Sequence, residues 1–157
     1  MSDGWDLPWD GGCRCGSVRL RVTKPPLLSG ACHCTGCRRM SGSAYSLTLS
    51  LPADGLDVTQ GEPVPGGLRG PDAHHFHCPG CKSWLFTRAE GFDWFVNLRA
   101  TMLDDHRWFE PFVELWTSEK LPWAATGAPH SFETVPDMAV FEPLMKAFAG
   151  EGARPDA

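Results

Sequence analysis

The sequence predicts a mainly β domain, interrupted by two short helices and stapled by zinc through its cysteines. Three observations predict it. Residues 17–23 alternate apolar and polar side chains as a half-buried strand does. Five further short segments are rich in β-branched and aromatic residues and are parted by turn residues. Seven cysteines fall into three tight clusters instead of scattering through the chain.

In residues 17–23, Val18, Leu20 and Val22 share one face and Arg19 and Arg21 the other, because successive strand side chains point to opposite sides. Residues 45–51, 56–60, 73–77, 84–87 and 92–99 are the other predicted strands. Helices are predicted over 35–41, where Gly42 supplies a stop, and over 142–149, where Pro143 suits the first helical position. Residues 63–72, PVPGGLRGPD, read as a surface loop, and 150–157 as a frayed, flexible tail. Trp84, Trp94, Trp108, Trp116 and Trp123 are read as packed core ahead of a ligand cleft, given the apolar area each ring buries. The expected unit is one domain spanning 1–157 with its core at about 10–135.

Composition narrows the function. Hydrophobic residues make up 42% and charged residues 21%, values of a folded globule and not of a disordered chain or a coiled coil. A net charge of -5 argues against nucleic-acid binding, which draws its affinity from a basic surface. Arg38 and Arg39 are the only adjacent basic pair and read as a solvated helix end. No apolar run reaches the ~20 residues that span a bilayer, and residues 1–12 lack a basic, apolar leader pattern. A cytoplasmic protein without a membrane partner is the expectation. An odd number of cysteines, several too close in sequence to pair, then favours metal over disulfides.

The clusters are Cys13-Arg14-Cys15, Cys32-His33-Cys34-Thr35-Gly36-Cys37 and Cys78-Pro79-Gly80-Cys81. In extended chain a Cys-x-Cys pair presents both sulfurs on one side, and a Cys-x-x-Cys turn wraps two sulfurs around one ion. The outer clusters offer two sulfurs each, together a closed four-cysteine site of Cys13, Cys15, Cys78 and Cys81. The middle cluster offers Cys32, Cys34 and Cys37, the last two at i and i+3 on the incipient helix. Four cysteines leave zinc no free position, whereas three leave one for water or substrate, the pattern of catalytic zinc. His33 lies between two ligands and should point away from them. The competing reading is that some or all of the seven are structural or merely buried thiols.

Gly12-Cys13-Arg14-Cys15-Gly16 before the 18–22 strand resembles the glutathione-dependent formaldehyde-activating enzyme (GFA) family. So do Cys32-His33-Cys34-Thr35-Gly36-Cys37-Arg38-Arg39 with Ser41-Gly42, and Phe76-His77-Cys78-Pro79-Gly80-Cys81 running into Leu85-Phe86. Pro122-Trp123 extends the likeness, which covers about 12–132. The resemblance implies a β-tent fold of short antiparallel strands, a structural zinc at Cys13, Cys15, Cys78 and Cys81, and a second zinc at Cys32, Cys34 and Cys37. It also implies carbon-sulfur lyase or synthase chemistry, glutathione adding to formaldehyde to give S-(hydroxymethyl)glutathione. One departure is Lys82, which stands where the family usually has Gly; lysine tolerates a positive φ poorly.

The expected chemistry therefore rests on Cys32, Cys34 and Cys37 with a small-molecule substrate, glutathione or a related thiol-aldehyde adduct. Arg38 and Arg39 suit either the glutathione carboxylates or solvent. His74, His75 and His77 read as surface and packing residues. The rival is a non-enzymatic zinc module for a protein partner, its three-cysteine site vacant or closed by that partner.

Overall fold

The alternation that marks residues 17–23 is what seats them: Val18, Leu20 and Val22 are 1%, 2% and 0% exposed, while Arg21 stands in solvent. The computed structural model describes residues 4–67 and 73–156. In chain order the elements among them are β1 (Trp9–Gly12), β2 (Arg19–Val22), β3 (Leu28–Cys32), α1 (Thr35–Ser41), β4 (Ser46–Pro52), β5 (Leu56–Gln60) and β6 (Val64–Gly66). There follow β7 (Ala73–His77), β8 (Trp84–Ala89), β9 (Phe95–Arg99), β10 (Val113–Leu115), β11 (His130–Ser131) and α2 (Met138–Glu151). The chain is mainly β, as the sequence predicts.

Two sheets form. The smaller runs β1-β2-β5, all antiparallel, and the larger runs β11-β10-β3-β4-β9-β8-β7-β6. The larger is antiparallel except that β10 pairs in parallel with both β3 and β11. Leu49 and Leu51 of β4, Leu85 of β8 and Val96 and Leu98 of β9 are at most 1% exposed and join Val18, Leu20 and Val22 in one core between the sheets. Each fully buried side chain of this kind contributes roughly 1.5–3 kcal/mol. The period of two then sends Thr48, Ser50, Asn97 and Arg99 to the opposite face of the large sheet, where a cavity lies.

Strands β1, β3, β6, β10 and β11 escape sequence prediction for physical reasons. Leu28, Ser29 and Ala31 of β3 and Val113 and Glu114 of β10 are buried on both faces, so neither strand alternates. In β1, WDGG has little strand propensity, but Gly11 bridges Leu103 so closely that a Cβ there would meet the Met102 carbonyl oxygen at 2.3 Å. Part of the predicted 63–72 loop is strand: Val64–Gly66 pairs with His75–His77, while 68–72 lie outside the described residues.

Helix α1 matches its predicted bounds, ending at Gly42 (φ 64), whose amide donates to the Arg38 carbonyl at 2.9 Å. Helix α2 is longer than predicted. It starts a turn earlier, so Pro143 sits inside it, and it runs into the segment read as tail. What holds it is packing: Leu144 and Phe148 are buried, and Phe148 meets Trp5 and Phe112 with ring centroids 5.6 Å away in each case. The tryptophans divide. Trp84 is buried and Trp108 packs on the core, whereas Trp94 and Trp123 are 47% and 74% exposed.

Candidate metal centre

Four sulfurs converge where the loop after β1 meets the turn after β7: those of Cys13, Cys15, Cys78 and Cys81 all lie within 4.8 Å of one another. The local backbone explains it. Cys13 donates its amide to the Val18 carbonyl and Gly16 (φ 81) returns to the Cys13 carbonyl, both at 3.1 Å, folding the Cys-x-Cys segment back onto β2. Cys78 donates to the Ser83 carbonyl and Lys82 to the Cys78 carbonyl, closing the second knuckle. The Arg14 amide on the Ser83 hydroxyl, at 3.1 Å, ties the two together.

Cys13 and Cys15 sulfurs are 3.5 Å apart and those of Cys15 and Cys78 3.8 Å. A tetrahedron of thiolates 2.3 Å from zinc has edges of about 3.8 Å, whereas a disulfide needs about 2.0 Å. The four residues fit a closed tetrahedral metal and not a pair of bridges. Serines favour the charged sulfurs: the Ser83 hydroxyl and amide draw the Cys81 thiol down to about 5. For Cys13 burial works upward, but the Val18 amide and neighbouring groups outweigh it and leave the thiol at about 7.

Lys82 does adopt φ 64. Its ammonium reaches the Pro79 carbonyl at 2.8 Å, a local bond that offsets part of the strain of a left-handed lysine.

The second cluster is local. Cys32 ends β3, Cys34 is the N-cap of α1 and Cys37 lies in its first turn; their sulfurs are again mutually within 4.8 Å. The Cys34 sulfur accepts from the Cys37 amide at 3.3 Å, so the capping bond that starts the helix also orients the cluster. The Cys32 thiol, with Ser46 helping, pulls Cys37 down to about 5 against its burial, and Cys37 in turn, with burial, pushes Cys32 up. Bound metal would deprotonate all three.

His33 points away from the sulfurs, as the sequence predicts. It is wholly buried, with Nε2 2.9 Å from Glu114 Oε2. Glu114 also accepts from Thr126 and Ser131 hydroxyls, at 2.7 Å each, and these bonds overcome burial to hold the carboxyl at about 2. The buried pair, with the His33 amide on the Leu115 carbonyl, fixes the β3–α1 junction that carries the cluster. Sequence reasoning missed Glu114, which sits alone among apolar residues with nothing to mark its partner.

Cys32 and Cys37 line a cavity of about 440 Å³ between the large sheet and α2. Its walls include Phe92, Trp94 and Phe95 on one side and Met138, Phe141 and Met145 of α2 on the other. Trp84 and Trp94, expected in the core, are lining residues. Arg99, which no sequence signal singled out, is 8% exposed, with its guanidinium 4.1 Å over the Trp84 ring. Burial lowers it to about 10, opposed by Cys37 and Cys32, so it stays a cation at neutral pH.

Of the histidines, His75 lines this cavity, its Nδ1 2.8 Å from the Thr87 hydroxyl, whose oxygen accepts from Trp84 Nε1. Burial, with Arg99 adding, lowers its pKa and keeps the ring neutral. His74 lies exposed by Glu90. Neither Arg38 nor Arg39 reaches the cavity lining; Arg38 donates to the Thr35 hydroxyl and Arg39 is exposed.

Two sheets joined at four cysteines, with three more cysteines opening onto a cavity, define a β protein whose cysteine clusters are able to hold metal. The chain belongs to the glutathione-dependent formaldehyde-activating enzyme family, whose sequence model matches residues 8–119. A curated relative from Halomonas elongata, itself provisionally named for that family, is 38% identical over 87 residues. The match covers 49% of this chain and 55% of the relative, so the chain spans about half of that relative's length. A crystal structure of a Rhodobacter sphaeroides protein shares the fold, with TM-score 0.51 and 20% identity over 60% of this chain and 87% of that one.

Proposed function

We propose that this chain is a zinc-dependent enzyme that makes or cleaves a carbon-sulfur bond in a thiol-aldehyde adduct, S-(hydroxymethyl)glutathione or a relative of it. The observation that carries the reading is the opening of the three-cysteine cluster onto the cavity, with Cys32 and Cys37 in its wall. Cys13, Cys15, Cys78 and Cys81 would hold a structural zinc, and Cys32, Cys34 and Cys37 a second. Seven reduced thiols suit the cytoplasm.

Zinc held by Cys32, Cys34 and Cys37 would supply Lewis acidity and stabilise a thiolate. The protein does the rest. In the synthetic direction the substrate thiol loses its proton, its sulfur bonds to the aldehyde carbon, and the carbonyl oxygen takes up a proton; no oxidant or reductant is needed. Arg99, a cation beside Cys37 and Cys32, stabilises negative charge as it develops on that oxygen. His75, neutral and hydrogen-bonded to Thr87, is placed to exchange the proton with the cavity. His33 and Glu114 hold the cluster from behind.

The cavity favours a small molecule over a protein partner. A concave, largely apolar volume of this size is within the roughly 300–1,000 Å³ of small-molecule sites.

Because the uncatalysed addition is fast, the test is exchange at equilibrium. Magnetisation-transfer NMR on glutathione and formaldehyde should show faster exchange with zinc-replete protein than with Cys37→Ser or a boiled control. Equal rates in all three would remove this pair as substrates.

A further inference from the structure

We infer that the adduct this site prefers has an apolar organic body rather than the glutathione tripeptide, with its oxygen-bearing end at Arg99 and Cys37. The inference rests on the reading of the three-cysteine cluster as the reacting site and names the substrate class for it.

The sheet register lays out the cavity as a gradient. Along β4, Ser46 pairs with Cys32, Thr48 with Gly30 and Arg99, and Ser50 with Leu28 and Asn97. All of these line the cavity, with Cys37 beside Ser46. Four residues of strand span about 13 Å. One end therefore holds the sulfurs, with Arg99 one step along opposite Thr48 and close enough to act on Cys37 and Cys32; the other, about 13 Å from the sulfurs, is walled by Leu28, Phe95 and the rim rings Phe92 and Trp94.

Two polar groups at the far end, Ser50 and Asn97, already meet each other. The Ser50 hydroxyl donates to Asn97 Oδ1 at 2.6 Å, and neither Lys nor a second Arg lines the cavity among the described residues. Glutathione would bring two carboxylates and an ammonium into that region, where Arg99 is the one permanent cation lining the cavity among the described residues. Buried unpaired charge is costly, so such a ligand is disfavoured and an apolar one favoured.

The near end, by contrast, carries unspent polarity. Arg99 is more than nine-tenths buried, yet its Nε has no hydrogen-bond partner among the described residues. A carbonyl, hydroxyl or carboxylate oxygen at the head of the ligand would supply it. One oxygen-bearing head, one sulfur and an apolar tail match the gradient.

Isothermal titration calorimetry on the zinc-replete protein compares two thiols, phenylbutanethiol and glutathione. The apolar thiol should bind at least tenfold tighter. Phe92→Ser combined with Trp94→Ser, both exposed rim positions whose loss leaves the core intact, should weaken phenylbutanethiol at least tenfold and leave glutathione unchanged. Circular dichroism checks that this variant is folded. Glutathione binding as tightly as phenylbutanethiol, no binding of either, or a rim variant with unaltered affinity would overturn the inference. Cobalt substituted at the three-cysteine cluster separates the two readings. If cobalt is held there but glutathione binds the tighter, only the apolar body is wrong. If Cys37→Ser holds as much cobalt as the native protein, the proposed reacting site itself fails.

Discussion

The two cysteine clusters use the same side chain to opposite ends. Cys13 and Cys15 meet Cys78 and Cys81 across more than sixty residues of chain, bringing the end of the small sheet onto the end of β7 in the large one. Cys32, Cys34 and Cys37 come from six consecutive residues and close no long loop. A long-range cluster is bound to the fold, because its geometry exists only when the fold does. A local cluster needs only the β3–α1 junction and leaves a face to the cavity. The number of cysteines, four against three, agrees with that division of labour.

The largest test of the contrast is at the long-range cluster. Cys78→Ser should abolish cooperative folding, since structural zinc contributes about 10–16 kcal/mol against a usual total of about 5–15 kcal/mol. Circular dichroism and thermal melts check this. Cys37→Ser should instead keep the melting transition within a few degrees while elemental analysis shows half the zinc lost. Equal damage from the two substitutions would end the distinction.

A subtler lever is the support of the local cluster. Glu114 sits at about 2, below the ordinary 4.5. A depressed carboxylate stabilises the fold fully above its unfolded pKa, and that contribution is lost as pH falls from about 4.5 through 2. Native protein should exceed Glu114→Gln by roughly 2 kcal/mol near pH 6, the gap closing toward pH 2, as urea unfolding at several pH values would show. Protonation of the thiolates affects both proteins and cancels in the difference. A gap that does not change with pH would mean that Glu114 acts by packing alone.

The smallest expected effect returns to the long-range cluster. Lys82→Gly removes the left-handed strain but also the bond to Pro79, so a net gain of only about 0.5–1 kcal/mol is expected. Zinc stoichiometry should not change. A loss of stability would show that the lysine bond outweighs the strain.

Much of this was legible in the sequence where one residue type sufficed. Spacing alone grouped the sulfurs as the structure groups them, and the alternation of Val18, Leu20 and Val22 placed β2. Gly42 stopped α1 where expected. Illegible features are those set by a partner far away in the chain. Val113–Leu115 becomes strand because β3 and β11 flank it, not because VEL alternates. Arg99 looks like any strand-end arginine until the cavity around it is seen, and Glu114 acquires meaning only opposite His33. The tryptophans show the same limit: ring area says that they will be covered, not whether by protein or by ligand.

Helix α2 lies beyond residues 8–119, yet Met138, Phe141 and Met145 form one wall of the cavity. The seven cysteines all lie inside that matched segment. The cysteine clusters and this one wall are thus separate parts of the chain, joined through the packing of Phe148 against Trp5 and Phe112. With the three-cysteine cluster as the proposed reacting site, an exchange of α2 alone would be a modular route to altered selectivity without touching a thiol.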